Sequence, residues 1–251
     1  MARRGDGGRR QRQRRQQVQY EELDKYPVMP PHAFARIVRD LRTLNIIYQV
    51  IEPPLTKKEE EVRSEIMSIF IQALTADIEE IDANPELYLR AAMDQIIKSY
   101  RLKVNKKSRS KIFYYLKRDL IGYGRMDVLM NDANVEDVSL DGTNIPIFAY
   151  HRKFESVETT IAWPDDVELE SYVIKLAQRC GKHMSVAEPL LDATLMDGSR
   201  IVMKLGREVS TRGSTFCIRR FREDPFSPCD IVAFRTMLSL IHISEPTRPE
   251  R

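Results

Sequence analysis

Val135–Trp163 reads VEDVSLDGTNIPIFAYHRKFESVETTIAW. Three runs inside it, Val135 to Leu140, Ile145 to His151 and Ser156 to Trp163, are short and rich in β-branched or aromatic residues. They are bounded by Asp141-Gly142, Asn144 and Pro164, so they are predicted to be strands joined by tight turns. From Val167 to Gly181 the spacing becomes helical, with Leu169, Val173, Leu176, Ala177 and Cys180 inward and Asp165 or Asp166 at the start. Ala193 to Met196 and Arg200 to Leu205 flank Asp197-Gly198-Ser199, a hairpin signal, and Thr215 to Phe221 gives one more strand. Sheet plus one packed helix makes an α+β domain of about a hundred residues, assigned to residues 123–221.

Upstream the apolar period is mostly helical. Tyr26-Pro27-Val28-Met29-Pro30-Pro31 reads as an extended opening segment, and Phe34, Ile37, Val38 and Leu41 predict a short helix over Ala33 to Leu44. Ile46 to Ile51 is of strand type and is broken by Pro53-Pro54. Thr56 and Glu59 form a capping-box pattern ahead of a stripe through Val62, Ile66, Ile69, Ala73, Leu74, Ile78 and Ile81. Pro85 opens a second helix, and Ser108 or Ser110 opens a third that stops at Gly122 and Gly124. Residues 20–122 are accordingly expected to form a helical N-terminal domain. Pro225, Pro228 and the polar residues around them read as a linker over 222–237.

With 251 residues, 42% hydrophobic and 31% charged, the chain belongs to the globular class. It has neither an apolar run of membrane-spanning length nor a signal-peptide pattern, which places it in the cytoplasm. Cys180, Cys217 and Cys229 are odd in number and far apart, and are expected to be reduced packing residues without a metal. The net charge of +3 is concentrated at the start, where seven arginines against Asp6 put +6 in the first seventeen residues and leave −3 for the rest. Residues 1–19 have no apolar face to bury, so a disordered tail is expected. Attraction to nucleic-acid phosphates and to anionic lipid both fit it, beside a plain solubilising role.

Among residues with chemical potential, Asp192 and Asp197 flank a predicted strand, while Arg200, Arg212, Arg219 and Arg220 lie on or beside the strands that follow. A guanidinium fixed on a strand suits phosphate, because its planar fork donates two hydrogen bonds and keeps its charge. Asp197-Gly198 forms a turn able to hold such an arginine at a sheet edge. The bland reading pairs Arg200 and Arg219 with Asp192 and Asp197. His151 and His183 lack a carboxylate at diagnostic spacing and read as surface or capping residues. Gly181-Lys182-His183 is not a phosphate loop, because Leu176 and His183 occupy positions that need glycine and a hydroxyl.

The segments KIFYYLKRDLIGYGRMDVLMND, NVEDVSLDG, IPIFAYHRKF, GKHMSVAEPLLDATLMDGSRI and GSTFCIRRFREDPFSP, with YQVIEPPL upstream, resemble the N-terminal region of the archaeal branch of the type II/IV secretion-system ATPases. These are the GspE-like motors of pili, archaella and secretion machines. The resemblance implies a PAS-like α+β domain at 123–221, followed by a RecA-like ATPase core that this chain lacks. It implies a cytoplasmic homohexamer, peripheral at the membrane and docked on a platform protein, that uses ATP and Mg2+. Arg200 in DGSR and Arg219 in CIRRF, with Arg212 in STRGS, would contact the nucleotide phosphates, supported by Asp192, Asp197 and Gly198. Without the phosphate loop the fragment itself is expected to bind no nucleotide tightly and to be catalytically inactive. Residues 238–251, including LSLIHISEPTR, read as the translation of a sequencing adaptor rather than native protein. The alternative is a non-catalytic nucleic-acid-binding or scaffold module that works through its arginine tail.

Overall fold

The computed structural model describes residues 20–73, 84–102, 104–221 and 227–233. The expected disordered tail, the continuation of the first stripe through Leu74, Ile78 and Ile81, most of the linker and the adaptor-like end lie outside the described residues.

The architecture is α+β, as read from the sequence, but the strands begin far earlier than expected. Tyr20–Met29 (β1), Ala33–Asp40 (β2) and Ile46–Ile51 (β3) form an antiparallel meander. The predicted helix over Ala33 to Leu44 is therefore a strand followed by a turn. Ala33, Ala35 and Ile37 alternate into the core, whereas Leu41, which the helical spacing needed as an anchor, is 49% exposed. The β-branched pair Ile37-Val38 and ladders on both sides of β2 outweigh a four-residue apolar coincidence. Residues 20–51 thus belong to the sheet, and the expected helical domain shrinks to Lys57–Ala73 (α1), Pro85–Ser99 (α2) and Lys106–Leu120 (α3).

The first two of these helices start where side chains satisfy their first amides. Glu59 accepts from the Thr56 amide at 2.8 Å while its own amide donates to Thr56 Oγ1 at 3.4 Å, the reciprocal cap expected. Asn84 accepts from Leu87 N at 3.2 Å, with Pro85 in the first position, where no amide is needed. Replacing Thr56 with alanine is expected to cost about 1 kcal/mol, measurable by chemical denaturation. Ile66, Leu89, Met93, Ile96, Ile112 and Leu116 form the shared core of the three helices.

After a 3-10 turn at Gly124–Met126 and the short helix Asp127–Asn131 (α4), two more meanders follow. Val135–Leu140 (β4), Pro146–His151 (β5) and Glu155–Ala162 (β6) make one. Asp166–Arg179 (α5) then leads to the other, Leu190–Thr194 (β7), Arg200–Lys204 (β8) and Thr215–Arg219 (β9). Within the expected linker, Pro228–Ala233 is helical (α6). The nine strands form one sheet in the order β1-β2-β3-β6-β5-β4-β9-β8-β7. It is three meanders laid side by side, joined by the parallel pair β3–β6 and the antiparallel pair β4–β9.

Leu169, Val173, Leu176 and Ala177 of α5 share the main core with Val138, Ile147, Val157, Ile201, Phe216 and Ile218 of the sheet. Trp163 closes this layer, 4.8 Å from Tyr172 and 6.1 Å from Phe216 between ring centres. The helical unit is fastened to the sheet through the chain between β3 and α1. Glu52 accepts from Tyr114 Oη at 2.8 Å and from Arg118 Nη1 at 2.7 Å, and the Pro53 and Pro54 carbonyls accept from Tyr115 and Lys111.

The β3–β6 seam is crossed by a buried polar cluster. Asp132 Oδ2 accepts from Tyr26 Oη of β1 at 2.6 Å and from Tyr48 Oη of β3 at 2.7 Å, and its Oδ1 accepts from the Asn134 amide at 2.9 Å. His151 Nδ1 accepts from the amides of Lys153 and Phe154 at 3.1 and 3.3 Å. Its proton therefore sits on Nε2, 3.0 Å from the Tyr26 hydroxyl. His151 is thus buried rather than at the surface, and it caps the turn after β5. Burial holds its pKa below the ordinary histidine value despite the nearby Asp132 and Asp24 carboxylates, with Lys153 acting in the same direction as burial. Because the folded pKa is lowered, this contribution to stability is fully present above about pH 6.5. It declines as the pH falls from there towards the folded value, since the unfolded chain takes up the proton first. Urea midpoints measured between pH 7.5 and 5 are expected to fall more steeply for the wild type than for His151→Gln, and equal slopes would refute the assignment.

Candidate phosphate-contacting site

The β7–β8 turn is built for close approach. Gly198 takes a φ of +84°, a conformation that favours glycine, and a Cβ placed there would come within 3.2 Å of the Phe221 ring. Asp197 accepts from Ser199 N at 3.0 Å and from Ser199 Oγ at 2.9 Å, and the same Oγ accepts from the Phe221 amide at 3.0 Å. The turn is thereby tied to the end of β9, which fixes the first residue of β8 against the last residue of β9.

Those two residues are Arg200 and Arg219, direct partners across the β8–β9 ladder. Ile201 and Ile218, one step inward, are buried, so alternation turns both arginines to the sheet face opposite the core. Arg200 donates through Nε and Nη2 to the two carboxylate oxygens of Asp192 at 3.1 and 2.6 Å. Arg219 donates in the same way to Asp137 at 3.0 and 3.4 Å. The guanidinium side chains are 70% and 79% exposed, and solvent screens exposed pairs of this kind so strongly that they contribute little to stability. A phosphate chain, which carries more charge than one carboxylate, can therefore recruit both forks at little cost. The Asp192 carboxyl is held below the usual carboxylate range chiefly by its hydrogen bond from Arg200.

Of the residues singled out in the sequence, Arg200, Arg219, Asp192 and the Asp197-Gly198 turn come together. Asp197 is not the partner of an arginine: its carboxylate is occupied by Ser199 within the turn, and Asp137 takes the role proposed for it. The inward Val138 and Leu140 turn Asp137 outward, while a bulge between Val135 and Asp137 lets Val135 face the core as well. The pairing of Asp137 with Arg219, 82 residues away, depends on the β4–β9 register, to which no local pattern points. Arg212 stands apart. It lies in the loop between Lys204 and Thr215, at the far end of the hairpin, about 13 Å of strand away at ~3.3 Å per residue. Its carbonyl accepts from Thr143 N at 2.9 Å, and the same loop is held by Arg207 Nε donating to Asp166 at 2.8 Å. Arg212 does not share a site with the other two.

A separate cleft of about 290 Å³ between the helical unit and the sheet is lined by Glu52, Arg118, Arg125 and Thr160, among others. Arg118 there is 13% exposed and held by both Glu52 and Asp119 at 2.7 and 2.9 Å, which commits it to the junction between the helical unit and the sheet, and Arg125 pairs with Glu168 at 2.6 Å. Cys180, Cys217 and Cys229 are free thiols. Among the described residues there is no cluster of three or more metal-ligating side chains and no helix long and apolar enough to cross a membrane.

No family model matches the chain. It is 42% identical over 164 residues to the uncharacterized protein MJ1288 of Methanocaldococcus jannaschii, a match covering 65% of each chain. It is 36% identical over 136 residues to the uncharacterized protein MJ0900 of the same organism and 33% identical over 126 residues to the uncharacterized protein MJ0781. Those matches cover 54% and 50% of this chain but 24% and 17% of the relatives, so the chain spans less than two thirds of each of the three. Among solved structures, the VirB11 ATPase of the Brucella suis type IV secretion system aligns with a TM-score of 0.35 and 17% identity, over 55% of this chain and 38% of that one.

Proposed function

We propose that residues 20–221 are the N-terminal part of a secretion or filament-assembly motor ATPase, and that Arg200 and Arg219 close over the phosphates of a nucleotide held by a separate ATP-binding core. The observation that carries this reading is the pairing of two exposed guanidinium forks on adjacent strand ends, set by a turn that demands glycine. The sequence resemblance supplies the second support, because both arginines fall within the segments that carry it. The described residues fit an auxiliary role towards ATP and Mg2+. They offer two charge-neutralising forks but neither a phosphate loop nor a group of carboxylates for the metal. ATP would bring the transferable phosphoryl group. The contribution of this chain is to orient it and to offset the charge that accumulates on its oxygens, for which fixed guanidinium groups need no reorganisation. Assembly as a homohexamer, contact with a membrane platform protein and a position at the cytoplasmic membrane face belong to the same proposal.

The reading is tested by sequencing the source DNA onward from the codon for Met237. A G-x-x-x-x-G-K-[ST] motif in frame shortly afterwards is the expected result. An open frame that continues LSLIHISEPTR to a stop without that motif would overturn the motor reading and leave a binding module.

A further inference from the structure

Lys98 to Lys111, KSYRLKVNKKSRSK, holds seven lysines and arginines and no acidic residue. It covers the end of α2, the turn that follows and the first turns of α3. Helix α3 runs alongside α1 in the same direction, since Lys111 lies 3.9 Å from Glu59 and Arg63 donates to Asp119 at 2.9 Å. The starts of α1 and α3 and the end of α2 therefore meet at one tip of the helical unit. Lys57, Lys58, Lys98, Arg101, Lys106 and Lys107 are exposed there, and among the described residues none of them has a carboxylate partner. Glu59, Glu60 and Asp94 are taken up by Lys111, Arg63 and Arg109, which leaves Glu61 beside six cations.

This arrangement works against local stability. A lysine pair opens α3, where the helix dipole disfavours positive charge, whereas Lys57-Lys58 of α1 is followed in the same turn by Glu59 and Glu60. The first turn of α3 holds no acidic residue, and Asn105 makes no side-chain cap. The basic start of α3 therefore contributes nothing to helix stability. Tyr100, at the same place, is 56% exposed.

We propose that this tip is a docking surface for an anionic lipid bilayer, recognised through its phosphate-bearing headgroups. Five of the six unpaired cations are lysines, compact point charges suited to a diffuse layer of phosphates, whereas duplex recognition leans on arginine forks directed at defined positions. An exposed tyrosine amid lysines matches the headgroup region, where the ring is partly buried and the hydroxyl stays wet. The attraction is additive over the cations and confined to about a Debye length, so it orients the helical unit towards the bilayer. It does not depend on the nucleotide reading, because Arg200 and Arg219 lie on a different element.

The test is cosedimentation of the full chain with vesicles of phosphatidylcholine and phosphatidylglycerol, and with vesicles of phosphatidylcholine alone. The wild type is expected to bind the mixed vesicles only, with binding that weakens as salt is added. A Lys98→Gln/Arg101→Gln/Lys106→Gln/Lys107→Gln variant with unchanged circular dichroism is expected to lose about tenfold or more in affinity. Lys57→Gln/Lys58→Gln, on a different helix of the same tip, is expected to lose a smaller factor, which keeps the test decisive if the first variant folds poorly. A variant with the seven arginines of residues 1–17 changed to glutamine is expected to keep most of its binding. Wild-type-like binding by both tip variants, loss only in the tail variant, or binding of a DNA duplex in place of vesicles would each overturn the proposal.

Discussion

Replacing Asp132 with alanine is expected to lower the stability of the chain by about 2–4 kcal/mol. Its Oδ2 receives the hydroxyls of Tyr26 and Tyr48, and its Oδ1 receives the Asn134 amide. Removing the carboxylate leaves the buried Tyr48 hydroxyl and the half-buried Tyr26 hydroxyl without that acceptor, and an unmet buried donor costs more than the bond contributed. The loss falls at the seam where the first meander joins the rest of the sheet through the short β3–β6 ladder. Chemical denaturation and hydrogen exchange check this together. Exchange is expected to rise first in β1 to β3, and uniform acceleration across the sheet would show that the cluster does not act at the seam. Tyr48→Phe, which removes one donor and leaves the acceptor served by Tyr26, is expected to cost about 1–2 kcal/mol.

In a protein that also contains the ATP-binding core, Arg219→Ala and Arg200→Ala are each expected to reduce ATP turnover by about a hundredfold, a typical effect of removing a preorganised charge donor. Folding stability should be nearly unchanged, because both guanidinium groups lie in solvent beside carboxylates that are 50% and 35% exposed. The discriminating control is Asp137→Asn, which frees Arg219 without removing it and is expected to leave turnover within about twofold on the same electrostatic argument. If Arg219 were a structural partner of Asp137, the two substitutions would have matching effects. Arg212→Ala is expected to behave like the wild type, since its loop stands at the far end of the β8–β9 hairpin.

Much of the α+β core could be read locally. The turn residues Asp141-Gly142 and Asp197-Gly198, the strand-length apolar runs between them and the helical stripe of α5 each satisfy a backbone requirement within a few residues. The capping box of Thr56 and Glu59 was legible for the same reason. The local signal misled at Ala33 to Leu44, where four apolar residues fit a helix and the partners that make the segment a strand are carried by β1 and β3. For β2, propensity was a weak term beside two ladders and burial of Ala33, Ala35 and Ile37.

The candidate site divides along the same line. The sequence by itself determined that Arg200 opens a strand after the Asp197-Gly198 turn and that Arg219 lies on the last strand, because alternation and turn chemistry are properties of neighbouring residues. Only the tertiary structure decided that they face each other, that Asp137 rather than Asp197 holds Arg219, that Arg212 stands apart, and that His151 is buried against Tyr26. Each of those facts depends on the register between strands distant in the chain. That register is fixed by the burial of a whole sheet face, since a slip of one residue would turn every apolar side chain of the strand into water.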